Sequence, residues 1–147
     1  MHTCKVYFNV GLPFDEQKFR ALIAKKVLPA DIAPTQIDLR YADEVAAEFK
    51  KLGCTVKRGL RWLEINTCTE YSPVVDEMTA HTLHNLIGNE DKLVALKQKY
   101  NLTYTLEIIP KIDHASNQSN PCLSPADEVI AFLYKSQTSL DIDYYVL

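Results

Sequence analysis

Glycine is scarce in this chain and never clustered: Gly11, Gly53, Gly59 and Gly88 stand alone. A loop that cradles phosphates needs glycines in close succession, so a Gly-rich nucleotide loop is excluded. The four cysteines, Cys4, Cys54, Cys68 and Cys122, form no C-x-x-C pair. Structural zinc takes ligands in closely spaced pairs, so a four-cysteine zinc site is not expected. Reduced, mostly half-buried thiols of a cytosolic protein are expected instead. Clustered cations are missing too. The longest runs are Lys25-Lys26, Lys50-Lys51 and Lys57-Arg58, and the net charge is -3. Phosphate neutralisation needs more than that, which disfavours direct nucleic-acid binding. No apolar run approaches the length of a membrane span. The opening MHTCKVYFNV lacks the cationic start and apolar stretch of a signal peptide, so a cytoplasmic protein with no membrane partner is the expectation.

What is present is an ordinary globular composition, with 47% hydrophobic and 24% charged residues over 147 positions. That fits a single domain, residues 1–147, able to bury a core without disulfides or metals. Val6, Phe8 and Val10 alternate with Lys5, Tyr7 and Asn9, the mark of a half-buried strand. After Gly11 and Pro13, Asp15 is placed to cap a helix whose apolar face is Phe19, Leu22, Ile23 and Val27. Ile37, Leu39 and Tyr41 predict a short strand. Val45, Phe49 and Leu52 return to helical spacing, with Gly53 as a left-handed stop. Residues 55–67 predict a longer strand whose alternation slips, which a bulge near Gly59 or burial on both faces would explain.

Ser72-Pro73 predicts a capped helix start, with Val75, Met78, Thr82, Leu83 and Leu86 inward. Gly88-Asn89 interrupts it, and Leu93, Leu96 and Tyr100 carry the next helix. Tyr104, Leu106 and Ile108 predict a strand, and residues 113–121 a polar loop. Ser124-Pro125 repeats the helix start, with Val129, Ile130, Phe132 and Leu133 inward. The chain then alternates once more: Leu140, Ile142, Tyr144 and Val146 are assigned to the core side, Asp141, Asp143 and Tyr145 to the other. About five strands with clean alternation imply a sheet covered mainly on one side. The expected class is therefore α+β, a mixed, mostly antiparallel sheet with helices mainly on one face, in a ferredoxin-like sandwich.

Few constellations carry chemistry. Glu77, His81 and His84 share a helical face and include metal-ligand types. His-Thr-Leu-His does not match H-E-x-x-H, however, and a polar helix flank is the preferred reading. Cys68 with His81 or His84 would make a nucleophile and base, but no motif frames a nucleophile. Asp141 and Asp143, two apart on a strand, point to the same side, where solvated carboxylates are more common than paired acids of catalysis. No catalytic residue, metal site or cofactor is assigned, and no enzymatic activity is expected. The more suggestive set is Glu107, Asp141, Asp143 and Tyr145, all on the non-core parity of their strands. On a shared open face they would form an acidic surface with an aromatic anchor, suited to a cationic protein partner.

Four blocks carry a resemblance: VYFNVGLPFDEQKFRALIAKKVLPADIAPTQ, GLRWLEINT with its strand Trp62, LVALKQKYNLTYTLEIIP, and LSPADEVIAFLYKSQTSLDIDYYV. In this order they resemble the bacterial proteins catalogued as domain of unknown function 4279. Residues 42–55 and 113–121 look longer than the usual family connections. The resemblance implies a small bacterial cytoplasmic domain without established activity, some relatives being encoded beside secreted toxins. It leads to an immunity protein of the contact-dependent growth inhibition type, which binds one cognate toxin domain 1:1 and blocks its active site. A cationic nuclease would suit the acidic face. The alternative is a small-ligand-binding or regulatory module with an apolar pocket near Trp62. A hydrolase would need an acid or thiol constellation that the residues do not supply.

Overall fold

A computed structural model describes residues 2–13, 24, 41–59, 61–71, 74–117 and 123–146. Among these are six strands and four helices: β1 (Thr3–Gly11), α1 (Ala42–Lys51), β2 (Val56–Arg58), β3 (Trp62–Tyr71), α2 (Val75–Leu83), α3 (Glu90–Tyr100), β4 (Thr103–Ile112), α4 (Asp127–Lys135), β5 (Ser139–Ile142) and β6 (Tyr145–Val146). Of the expected helix over 15–27 only Ala24 is described, and it is helical; the Ser72-Pro73 start and residues 36–40 of the expected strand lie outside the described residues. Tyr41 is described, and it sits in a left-handed turn that opens α1.

The strands form one mixed sheet in the order β2-β3-β1-β4-β5, with β6 also on β4. The β2–β3, β3–β1 and β1–β4 pairs are antiparallel, and β5 and β6 run parallel to β4. Among the described elements, α1 lies between β1 and β2, and α2 and α3 lie between β3 and β4. The first four strands therefore follow the split βαβ order of a ferredoxin-like sheet, and the α4 crossover adds a parallel edge. The α+β expectation holds.

Strand β1 is paired on both sides, and every second residue is sealed: Cys4, Val6, Phe8 and Val10 are at most 1% exposed. All four helices pack over that face, through Val45 and Phe49, Met78 and Leu83, Leu93 and Leu96, and Val129 and Phe132. Phe8 sits at the centre. Its ring lies 5.1 Å from that of Tyr104, 6.1 Å from Phe132 and 6.3 Å from Phe49. The Tyr104 hydroxyl donates to the Leu93 carbonyl at 2.7 Å, which satisfies the one polar atom this cluster carries inward.

The slipped alternation over 55–67 has two separate causes. Around Gly59 the chain turns rather than bulges: the Gly59 N–H donates to the Trp62 carbonyl at 2.9 Å, joining β2 and β3. A Cβ on Gly59 would lie 2.4 Å from the Trp62 ring, so the turn and the indole fit only without a side chain. The bulge lies further on, where two β3 residues between Ile65 and Cys68 face the single β1 residue between Val6 and Phe8. Its first residue, Asn66, is left-handed at φ 52, a conformation asparagine tolerates better than most. The buried side chain is fully used. Its Oδ1 accepts from the Thr55 N–H at 3.0 Å, and its Nδ2 donates to the Thr82 carbonyl at 3.0 Å and to Asn85 Oδ1 at 2.7 Å.

Three expectations are corrected. Ser124 does not cap α4, whose N-cap is Ala126 without a side-chain bond; the Ser124 N–H instead donates to Asp76 Oδ1 at 3.0 Å, docking the segment onto the start of α2. Ile130 is 52% exposed, because the buried stripe of α4 is Val129 and Phe132. Leu140, Ile142, Tyr144 and Val146 do take the parity of the helix-covered face, yet they are 36–60% exposed. They stand at the rim of the sheet, beyond the cover that the helices provide.

Two substitutions test this frame. Phe8→Ala should cost about 3–5 kcal/mol, read from urea unfolding, since it empties the centre of the core. Asn66→Ala should cost about 2 kcal/mol or more, because it strands the Thr55 donor and strains the bulge. Asn66→Gly should recover only the backbone part of that loss.

Candidate functional site: the open face of the sheet

The odd-numbered residues of β1 and β4 point away from the helices, and register sets them in rows. Tyr7 of β1 lies opposite Glu107 of β4, and Glu107 opposite Asp141 of β5. Two rows further along, past Lys5 and Ile109, Thr3 faces Lys111 and Lys111 faces Tyr145. On the other side of β1, Asn9 faces Glu64. Of the four residues singled out from sequence, Glu107 is half-buried, while Asp141, Asp143 and Tyr145 are exposed. All four meet on this face. Tyr145 is tied to Asp143 by a hydrogen bond that, with the Asp143 charge, raises the phenol's pKa.

The parallel register makes Glu107 and Asp141 direct neighbours, and the electrostatics follow. Partial burial pushes the Glu107 carboxyl up to about 7, helped by a hydrogen bond to Asp141 and by the charges of Asp141 and Asp143. The Glu107 carboxyl thus holds its proton to higher pH than an ordinary carboxylate, beside Asp141 across the β4–β5 step. Tyr7 is pushed up to about 12, by burial first and then by Glu107, Glu64, Asp141 and Tyr145 around it. The Tyr7 phenol therefore keeps its proton at neutral pH. The row is an acceptor surface that gains from a cation.

A second feature lies at the Lys111–Tyr145 end. A cavity of about 430 Å³ opens there, between Thr3, Lys5, Thr69, Ile109, Lys111 and Tyr145. Lys5 is held at 3.1 Å from Glu64 and lies 4.6 Å from the centre of the Tyr7 ring. Glu107 and Asp141 thus lie toward one end of the open face and Lys111 toward the other, with the Lys5 ammonium held on Glu64 between them. The cavity is not the pocket expected near Trp62.

No family model matches the chain, and no curated protein or solved structure matches it. The likeness to domain of unknown function 4279 rests on the four sequence blocks alone.

The remaining candidates are not brought together. The His81 and His84 rings stack at 5.7 Å on the exposed side of α2, and His84 Nδ1 lies 2.7 Å from the His81 carbonyl. Among the described residues no three His, Cys, Asp or Glu side chains converge as a metal-binding group. Cys68 Sγ points to Glu70 Oε1 at 3.8 Å, and burial followed by Glu70 raises its pKa, the reverse of an activated thiolate. Cys4 and Cys54 are buried free thiols, each pushed up to about 11 mainly by burial. Cys122 lies outside the described residues. No described helix is long and apolar enough to cross a membrane.

Tyr7 is the residue that sequence reasoning passed over. Its odd parity in β1 was visible, but only the strand order β1-β4-β5 sets it beside Glu107.

Because the folded Glu107 carboxyl holds its proton more tightly than an unfolded one, its contribution is present below the ordinary carboxylate range and is lost as pH rises through about 7. Glu107→Gln should therefore raise stability at about pH 8 and change little at about pH 4. Solvent screening of this half-buried group holds the gain to the order of 1 kcal/mol. Thermal melts of both proteins across that range check it.

Proposed function

We propose that the chain is a binding protein of the immunity type, which neutralises a cognate toxin domain in a 1:1 complex by covering its active site or substrate path. The observation that carries this reading is the row Tyr7–Glu107–Asp141, flanked by Asp143 and Tyr145, on a sheet face without a described helix over it. An open face bearing carboxylates and two tyrosines suits a cationic protein, with charge speeding encounter and the phenols anchoring the complex. A nuclease domain is a fitting partner, since an enzyme that grips phosphates carries such cations itself. No step of catalysis is assigned to the chain.

The cavity near Lys111 supports a second reading, a module that holds a small ligand. The Lys111 ammonium and two threonine hydroxyls, beside Ile109, Tyr145 and a Lys5 that is paired with Glu64, suit an anionic head on an apolar body. Thermal stabilisation by a small carboxylate or phosphate ester, lost in Lys5→Ala/Lys111→Ala, would favour it over the toxin reading.

For the leading reading, the partner to test is the C-terminal domain of a secreted protein encoded just upstream. It should be retained by this chain in a pull-down. Asp141→Lys/Asp143→Lys should slow its association about tenfold or more at low ionic strength, with a smaller effect at high salt. Failure of that domain to bind would refute the pairing, and an unchanged association rate would remove the acidic face from it.

A further inference from the structure

Residues 139–146 form a continuous edge. The offset between β4 and its neighbour is the same at Ile108–Ile142 and at Lys111–Tyr145, so β5 and β6 are one run with a short break in the ladder. The Asp143 N–H donates to the Ile108 carbonyl at 3.0 Å, which turns the backbone of Asp143 toward β4. By strand alternation the N–H and C=O groups of Leu140, Ile142 and Tyr144 turn outward. Among the described residues the strand has no second neighbour, and it is exposed along its length.

Natural edges are usually blunted by lysine, proline or a bulge. The run SLDIDYYV contains neither proline nor any cationic residue. Instead it offers two distinct surfaces. Leu140, Ile142 and Tyr144 are 43%, 36% and 53% exposed on the helix side. Asp141 lies beside Glu107 on the open side, with Asp143 close enough to act on the same carboxyl. Pairing with a second copy is disfavoured by this pattern. An antiparallel match about Ile142 sets Asp141 of each copy against Asp143 of the other, and like charges directly opposite destabilise a sheet.

We propose that this edge accepts an extended strand of a partner protein, one that alternates basic and apolar side chains, and so lengthens the sheet by one strand. Main-chain bonds to Leu140, Ile142 and Tyr144 supply affinity. Lysine or arginine over the acidic row, and apolar residues beside Leu140 and Ile142, supply selectivity. The inference rests on the protein-binding reading above and adds how the partner is held.

The test uses the intact chain and a fluorescein-labelled octapeptide of alternating lysine and valine, followed by anisotropy at low ionic strength. The peptide should bind, and an alternating glutamate–valine peptide should not. Ile142→Pro removes one outward N–H and no bond to β4, so it should weaken binding by roughly tenfold or more. In the unaltered protein, amide exchange at Leu140, Ile142 and Tyr144 should slow when the peptide is added. That readout stands even if the proline variant fails to fold. Unchanged exchange at those amides overturns the proposal. If Asp141→Lys/Asp143→Lys weakens binding while Ile142→Pro does not, cations bind the face without strand addition; the proposal fails and the protein-binding reading survives. If neither variant matters, both fail. A concentration-dependent dimer abolished by Ile142→Pro overturns the proposal in favour of self-pairing.

Discussion

Every second side chain of β1 enters the layer between sheet and helices, and the others are held on the opposite surface. The strand is hydrogen-bonded on both edges, so it cannot rotate or slip without breaking two ladders. Phe8 then brings aromatic rings from α1, β4 and α4 to one point. What lies on the far side follows from the same alternation. Tyr7 has to emerge between Val6 and Phe8, and the β4 register makes Glu107 its neighbour. The acidic row is thus the reverse of the core rather than a separate construction.

The bulge at Asn66 reconciles two demands on β3. Leu63 and Ile65 must face the helices beside Val10 and Phe8, and Cys68 must pair with Val6 on the same side. One extra residue absorbs the mismatch, and its amide turns inward. There it joins the β2–β3 hairpin, through Thr55, to the end of α2, through Thr82 and Asn85. Cys54 Sγ adds a weak contact to the same Asn85 oxygen at 3.5 Å. A buried polar knot of this kind is stabilising only when complete, which is why losing one amide is expected to cost more than an average hydrogen bond.

How much was legible depends on whether the information is local. The alternation in Val6–Phe8–Val10 and in Tyr104–Leu106–Ile108 marked both central strands, and Gly53 marked the end of α1 with its φ of 86. The Asn66 bulge was hidden, since asparagine signals left-handed backbone far less strongly than glycine. Ser124 had the right chemistry for a cap but was drawn to Asp76 by tertiary contact. The parity of Leu140, Ile142, Tyr144 and Val146 was also readable. Periodicity states which way a side chain points, however, and not whether anything stands there to cover it. That Glu107, Asp141, Asp143 and Tyr145 share one face was readable for the complementary reason: it needed only the correct parity and adjacent strands.

The rim position of residues 139–146 has a further consequence, for how the surface can change. Side chains that remain 36–60% exposed give little buried area to the fold, so replacing them costs little folding free energy. Phe8 and Asn66 have no such latitude. Stability is therefore concentrated in β1, β3, β4 and the helices over them, while the chemistry of the rim can drift. A protein built this way can follow a changing counterpart by substitution at its margin, without renegotiating its core.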